Sequence, residues 1–274
     1  MSWLWTVLGI AVLSVTFLDL LLVSLGANGL SIASDRIARL VWRGLSGRLR
    51  RGGPTLHRVT GPIVMIAAAA FWVFGSSLGW TLIFFASEAS VVASPAAPPD
   101  AGTGFWSDWA YAGHMLSTLG GGLTSPGNLG WAVLSVFAGI TGMVVLTLAV
   151  SFTLTTSETV TAGRAFCTRL DLKGASAVAR SDDDLIALAA LVASLNSAPL
   201  ALYYSSPDPS WRLSDRMAGL IDLAADDPDG RLAGILSHVP GMAGDAPFAK
   251  RAADWRRIYA LDRADDGTDG EAAA

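Results

Sequence analysis

Residues 105–126 read FWSDWAYAGHMLSTLGGGLTSP and lie between two segments that are apolar enough to cross a bilayer. The first part, residues 107–117, is long enough for roughly three turns of helix. It runs directly into Thr118, Leu119 and the three glycines at positions 120–122. Successive glycines allow backbone dihedral angles that other residues avoid. The stretch therefore predicts a short re-entrant helix followed by a loop whose carbonyl groups can replace the water shell of a cation.

The segment Ser117-Thr118-Leu119-Gly120-Gly121-Gly122 resembles the T-V-G-Y-G filter signature of potassium channels, in which carbonyls from four identical loops coordinate the ion. The resemblance covers roughly residues 59–155 and is closest to bacterial channels with two helices per subunit. It implies that a filter is formed by Thr118, Leu119, Gly120, Gly121 and Gly122.

This segment departs from the family pattern at two positions. Gly121 stands where the family has Tyr or Phe, and Leu123 replaces the Asp that normally follows. The family's aromatic residue packs behind the filter and helps to fix its diameter. Its loss weakens the case for potassium selectivity rather than for a pore, so the expected permeant ions are potassium and also sodium.

The overall composition is that of a membrane protein with a soluble appendage. The 274 residues are 52% hydrophobic and 15% charged, and the mean hydropathy is +0.47. Cys167 is the single cysteine, so the chain can form neither an intrachain disulfide nor a cysteine-based zinc site of its own.

Residues 1–26 form an apolar run of the length that a membrane-spanning helix needs. A cleaved signal peptide is the rival interpretation, but no Lys or Arg precedes Arg36. Asp19 lies inside this run, where an ionisable residue is costly unless it is paired or near an interface. Two roles are open for it: an anchor to a neighbouring helix or to Arg36 or Arg39, or a carboxylate that reaches the inner interface.

Residues 27–58 form a basic linker with seven arginines and one acid, Asp35. By the positive-inside rule this linker is cytoplasmic, which places the amino terminus outside. Within it, residues 34–43 show helical spacing of apolar residues and arginines. This pattern predicts an amphipathic helix that anchors the chain at the membrane surface.

Two further apolar segments follow, and they complete the pore domain at residues 59–155. The outer helix is predicted at residues 59–86, the extracellular loop at 87–106, the pore helix at 107–117, the filter at 118–122 and the inner helix at 129–155. Small residues of the outer helix, including Gly75 and Gly79, allow other helices to approach closely. Because one re-entrant loop cannot enclose a channel, the family implies a closed ring of four subunits.

Two glycines and three hydroxyl residues of the inner helix are candidates for gating and for the inner vestibule. Gly139 and Gly142 serve either as a gating hinge or as packing notches. The side chains of Thr147, Ser151 and Thr155 are spaced four residues apart and share one helical face. They either line a vestibule or bond back to carbonyls of their own helix.

His114 is the titratable residue four positions before Thr118. A histidine there can make conduction depend on pH. The alternative is a neutral imidazole that supports the backbone of the filter.

Residues 164–264 carry charges and amphipathic spacing typical of a small, mainly helical cytoplasmic domain, and residues 265–274 are predicted to be disordered. Ser181 and the aspartates at 182–184 are expected to cap a helix. No phosphate-binding loop or nucleophile motif is present, and no metal or cofactor beyond permeant monovalent cations is expected. The acidic balance argues against nucleic acid, and no ligand of this domain can be named.

Together these patterns predict an all-α membrane protein: a homotetramer in a bacterial inner membrane, with three spanning helices per chain, a re-entrant pore helix and a filter. The expected function is passive conduction of monovalent cations, without enzymatic activity. A non-conducting membrane scaffold or regulatory subunit is the alternative. A transporter is disfavoured by the small number of helices and the absence of an internal repeat.

Overall fold

The computed structural model describes residues 2–24, 33–49, 54–95, 97, 104–120, 122–226 and 230–261. These residues are mostly helical, and three of the helices are long and apolar enough to cross a membrane. The α-helices are α1 Ser2–Ser24, α2 Ser34–Leu49, α3 Pro54–Phe85, α4 Phe105–Leu116, α5 Leu129–Lys173, α6 Ala175–Val178, α7 Asp182–Ser197, α8 Leu213–Ala225, α9 Arg231–Leu236 and α10 Phe248–Tyr259. Short strands β1 Val91–Ala93 and β2 Thr124–Pro126 form an antiparallel pair, and 3₁₀ turns occupy Pro199–Tyr203 and Pro209–Trp211.

The described residues fall into two compact units. The first contains residues 2–24, 33–34 and those within 67–152, and the second contains those within 35–66 and 153–261. Helices α3 and α5 each contribute residues to both units.

In the first unit, α1 packs against α3 through glycines. A Cβ atom added to Gly79 would lie 2.6 Å from Leu13 Cγ, and one added to Gly75 would lie 3.0 Å from Thr16 Cγ2. On the α1 side, a Cβ on Gly9 would lie 2.7 Å from the carbonyl oxygen of Gly79. Such distances leave no room for side chains, so these glycines set the separation of the two helices.

Asp19 is fully buried near the end of α1 and accepts hydrogen bonds at the start of α2. Its carboxylate accepts from the backbone N–H groups of Ala33 (2.7 Å) and Ser34 (3.2 Å), and from the Ser34 hydroxyl. The indole N–H of Trp72 on α3 donates to it over 3.0 Å. The Trp72 ring in turn stacks edge-on against Phe152 of α5, with centroids 5.2 Å apart. Asp19 is thus an anchor between helices, and its partners include Ala33, Ser34 and Trp72.

In the second unit, α2 and the start of α3 pack against the C-terminal helices. The buried Trp42 indole donates to the Ile258 carbonyl over 2.8 Å. On α3, His57 Nδ1 lies 2.8 Å from Ser205 Oγ, and the Tyr204 hydroxyl donates to Met65 Sδ over 2.6 Å. The described part of the predicted linker 27–58 is therefore not a separate element, because Trp42 on its buried face contacts the C-terminal helix α10.

Several helices differ from their predicted bounds. The outer helix α3 begins at Pro54 rather than 59, and the inner helix α5 continues to Lys173 rather than ending at 155. It ends before Gly174, whose φ of 81° is a backbone conformation that residues other than glycine rarely adopt. The two short strands are an addition to the predicted all-α class, and the predicted tail 265–274 lies outside the described residues.

Helix α7 begins at the predicted run of Ser181 and three aspartates, with the acids in its first turn, but the details of its cap differ from the prediction. Ser181 occupies the N-cap position, but its side chain makes no capping hydrogen bond. Asp184 is buried and pairs with Lys173 (2.8 Å) and Arg169 (3.2 Å) at the end of α5. The hydrogen bond from Lys173 is the main cause that holds the pKa of Asp184 below its usual value. This acid therefore joins α7 to α5.

Candidate pore loop

Helix α4 is positioned by aromatic packing and one buried hydrogen bond. Tyr111 is fully buried, its hydroxyl lies 2.6 Å from Ser135 Oγ of α5, and its ring meets Phe84 of α3 edge-on at 5.1 Å. The same core includes Trp80 and Ala138. Because α3 and α5 both contact Tyr111, they fix the direction in which the residues after α4 leave the helix.

Helix α4 ends in a Schellman motif with Thr118 in the left-handed conformation. Thr118 has φ 61°, its N–H donates to the Met115 carbonyl, and the Leu119 N–H donates to the His114 carbonyl, each over 3.0 Å. This position normally holds Gly, since a β-branched residue at positive φ is strained. The motif turns the chain sharply out of α4 at the first residue of the candidate filter, residues 118–122.

Positive φ occurs at three of the four described positions of the candidate filter. Gly120 has φ 82° and Gly122 has φ 61°, as Thr118 does, while Gly121 lies outside the described residues. Leu119, between two of these positions, is 79% exposed. Positive φ explains why glycines stand at 120 and 122, because L-residues rarely adopt this conformation.

His114 lies directly against the candidate filter. A Cβ added to Gly122 would lie 3.0 Å from Cε1 and 3.1 Å from Nδ1 of the His114 ring. The half-buried imidazole thus fills the space behind Gly122. This proximity fits the predicted role of His114 in supporting the filter, and pH sensing stays a prediction.

The β1–β2 pair holds the far end of the loop, which the sequence analysis missed. The Ser94 N–H donates to the Leu123 carbonyl (2.9 Å), and its hydroxyl donates to the Gly122 carbonyl (3.4 Å). Val92 pairs with Ser125 at the centre of the register. Strands of three residues in a segment rich in Ala, Ser and Pro carry too little alternation to be recognised.

Gly142 is the point of closest approach between α5 and the end of α4. A Cβ on Gly142 would overlap the Leu116 carbonyl oxygen and would lie 2.6 Å from its carbonyl carbon. A Cβ on Gly139 would meet only the Met115 carbonyl oxygen, at 3.5 Å. Neither glycine has positive φ, and α5 is continuous through both. Of the two open roles, Gly142 has the packing role in this conformation.

The predicted vestibule residues lie on a weakly covered part of α5. Thr147 and Ser151 are exposed and Thr155 is half-buried. The Thr147 hydroxyl donates to the Met143 carbonyl over 2.8 Å, which is the back-bonding alternative. Only 17% of the most apolar window of α5 is buried, against 28% for α1 and 44% for α3. Most of this window is therefore left uncovered by the rest of the described chain.

Among the described residues, no group of three or more His, Cys, Asp or Glu side chains is placed to hold a metal ion. When the chain was compared with protein-family models, curated proteins and solved structures, no family model, no protein and no structure matched it. The geometry of the loop and of the helices that hold it is therefore the basis for assigning a function.

Proposed function

We propose that four copies of this chain assemble into a membrane channel that conducts monovalent cations through the candidate filter. The observation that carries the proposal is the positive φ at Thr118, Gly120 and Gly122, directly after a Schellman-capped helix. Repeated positive φ turns the backbone carbonyls into orientations that ordinary loops do not reach. Carbonyl oxygens are the ligands that replace the water shell of potassium or sodium in such filters.

The exposed apolar surface supports assembly. One chain supplies one loop and one inner helix, which cannot enclose a pore. Leu119 is 79% exposed and Leu123 is 59% exposed beside the candidate filter, and α5 carries a long exposed apolar face. Neighbouring copies related by rotation would cover these side chains, and rotational symmetry closes the ring.

The electrostatics of α4 also favour a cation. The aligned peptide dipoles of a helix place a partial negative charge at its C-terminal end. Helix α4 ends at Leu116, two residues before the candidate filter. In the proposed orientation the amino terminus lies outside the inner membrane and the C-terminal helices lie in the cytoplasm, as the arginine-rich residues 27–58 indicate.

The test is ion flux into liposomes that contain the purified full-length protein, under a potassium gradient and then a sodium gradient. Gly120→Ala is the test variant, since φ 82° is unfavourable for alanine by about 1–2 kcal/mol. Gly113→Ala is the matched control within α4, because its Cβ would meet nothing within 4 Å and its φ is not positive. We expect flux in the wild type and in the control variant, and a loss of flux in Gly120→Ala.

The second candidate function is a non-conducting scaffold with the same architecture. It is favoured by the hydrogen bond from Ser94 Oγ to the Gly122 carbonyl, which engages one oxygen of the candidate filter. Crosslinking to four copies of the 28.5 kDa chain without flux in either ion would support the scaffold. Equal flux of both ions would indicate a non-selective pore, and flux of potassium alone a selective one.

A further inference from the structure

Helix α2 has two opposite faces with different surroundings. Its buried face carries Ala38, Trp42 and Leu49, which are at most 3% exposed. At 100° per residue, the opposite face carries Arg36, Leu40, Arg43, Gly44 and Gly47. All five of these residues are exposed. We call this second set the arginine face.

The arginine face is not covered by other described residues, and none of them balances its positive charge. A Cβ added to Gly44 or Gly47 would meet nothing within 4 Å, and Leu40 is 65% exposed. Within the described ranges of the chain, no carboxylate forms an ion pair with Arg36 or Arg43. The two glycines leave the space beside Leu40 and Arg43 free of further side chains, so that a flat surface can approach this part of the helix.

The position of α2 along the chain places it at the level of a membrane interface. Helix α2 begins at Ser34, ten residues after the last residue of the apolar helix α1, Ser24. In the second unit, the exposed Arg58 is followed on α3 by exposed apolar side chains at Val59, Ile63 and Ile66. A change from exposed charge to exposed hydrocarbon along one helix is expected where it enters the bilayer.

We propose that the arginine face of α2 binds the headgroups of anionic phospholipids in the adjacent leaflet. Surface amphipathic helices usually insert a large apolar face into the bilayer. In α2 that face is already covered by the protein, so electrostatic attraction between Arg36, Arg43 and lipid phosphates is the interaction left for the membrane. Leu40 lies between the arginines and can reach the start of the acyl chains. The inference does not depend on conduction, because a non-conducting assembly would bind lipid equally well.

The test is isothermal titration of the full-length protein, in neutral detergent, with short-chain phosphatidylglycerol and, separately, with short-chain phosphatidylcholine. The test variant is Arg36→Gln/Arg43→Gln. The matched control is Arg231→Gln/Arg257→Gln, which removes the same charge from two side chains of the second unit that are 71% and 72% exposed. Arg36→Lys/Arg43→Lys keeps the charge and tests whether charge alone is sufficient.

We expect phosphatidylglycerol to bind the wild type more tightly than phosphatidylcholine does. Neutralising each arginine should weaken this binding about fivefold at low ionic strength, or roughly 25-fold for the pair. The lysine variant and the control should bind like the wild type. Raising salt from about 0.1 M to about 1 M, where the screening length falls from roughly 10 to 3 Å, should weaken binding. Equal binding of the two lipids, or unchanged binding by Arg36→Gln/Arg43→Gln, would overturn the proposal.

Discussion

The contact between Gly142 and the end of α4 makes Gly142→Ala the most informative substitution in the chain. The added Cβ would overlap the Leu116 carbonyl oxygen and lie 2.6 and 2.7 Å from its carbonyl carbon and Cα. All three atoms belong to the backbone, so no side chain can rotate away. To reach an ordinary contact of about 3.4 Å, α5 has to move away from α4 by more than about 1 Å.

The magnitude follows from two opposing terms. Overpacking of this kind costs about 1–3 kcal/mol. Replacing Gly by Ala inside a helix returns about 0.8–1 kcal/mol through intrinsic helix propensity. Gly139→Ala is the matched control, because its Cβ would make only one contact of 3.5 Å. The propensity term is common to both variants, so Gly142→Ala should be less stable than Gly139→Ala by about 1–3 kcal/mol.

Unfolding of the two variants in detergent, followed by circular dichroism, measures this difference. It corresponds to roughly 2–4 °C of melting temperature per kcal/mol. If Gly142 were only a gating hinge, Gly142→Ala would change channel opening and leave stability equal to that of Gly139→Ala. Equal or greater stability of Gly142→Ala would refute the packing role.

Three further predictions use the same unfolding assay. Asp19→Ala should lower the free energy of unfolding by about 3–6 kcal/mol, because buried hydrogen-bond donors lose a charged acceptor. Asp183→Ala, at an exposed position, should change it by less than about 0.5 kcal/mol, and similar losses in the two variants would contradict the anchor role of Asp19. The folded-state pKa of Asp184 is lowered, so the stability that this carboxylate contributes is complete above its unfolded pKa of about 4 and is lost as pH falls through the folded pKa. Asp184→Asn should therefore remove this acid-sensitive part of the melting temperature, and an unchanged pH profile of the melting temperature would contradict the prediction. Thr118→Gly should raise the free energy of unfolding by about 0.5–1 kcal/mol, since relief of about 1–2 kcal/mol of strain at positive φ exceeds the entropic cost of glycine. A loss of stability would show that Thr118 is not strained.

The spanning helices could be predicted from the sequence because their signal is local. An apolar run of about 20 residues without charge specifies a helix whatever surrounds it. The three predicted segments coincide with α1, α3 and α5, and glycines of the outer helix do set a close helix contact. The helix before the candidate filter was placed within two residues at its start and one at its end.

Contacts between residues that are distant along the chain could not be predicted from the sequence. Asp19 accepts hydrogen bonds from Ser34 and Trp72. The residue that accepts the hydrogen bond of the Trp42 indole, Ile258, lies more than 150 residues further along the chain. An amphipathic pattern shows that α2 has an apolar face, but a bilayer and a protein surface cover such a face equally well. The end of α5 was missed for a related reason, because hydropathy falls after residue 155 while the helix continues on contacts with the C-terminal helices.

Thr118 belongs both to the end of helix α4 and to the candidate filter. As the residue after the end of α4 it stands where helices usually place glycine, and the glycines at 120 and 122 show that this chain uses glycine where φ is positive. A strained non-glycine residue persists when the surrounding structure holds it in place, and such residues concentrate at functional sites. The two backbone hydrogen bonds to Met115 and His114, together with the buried Tyr111, hold Thr118 in that way. The strain at the first position of the candidate filter therefore agrees with a functional role for its side chain or carbonyl, and a helix terminus alone would be better served by glycine.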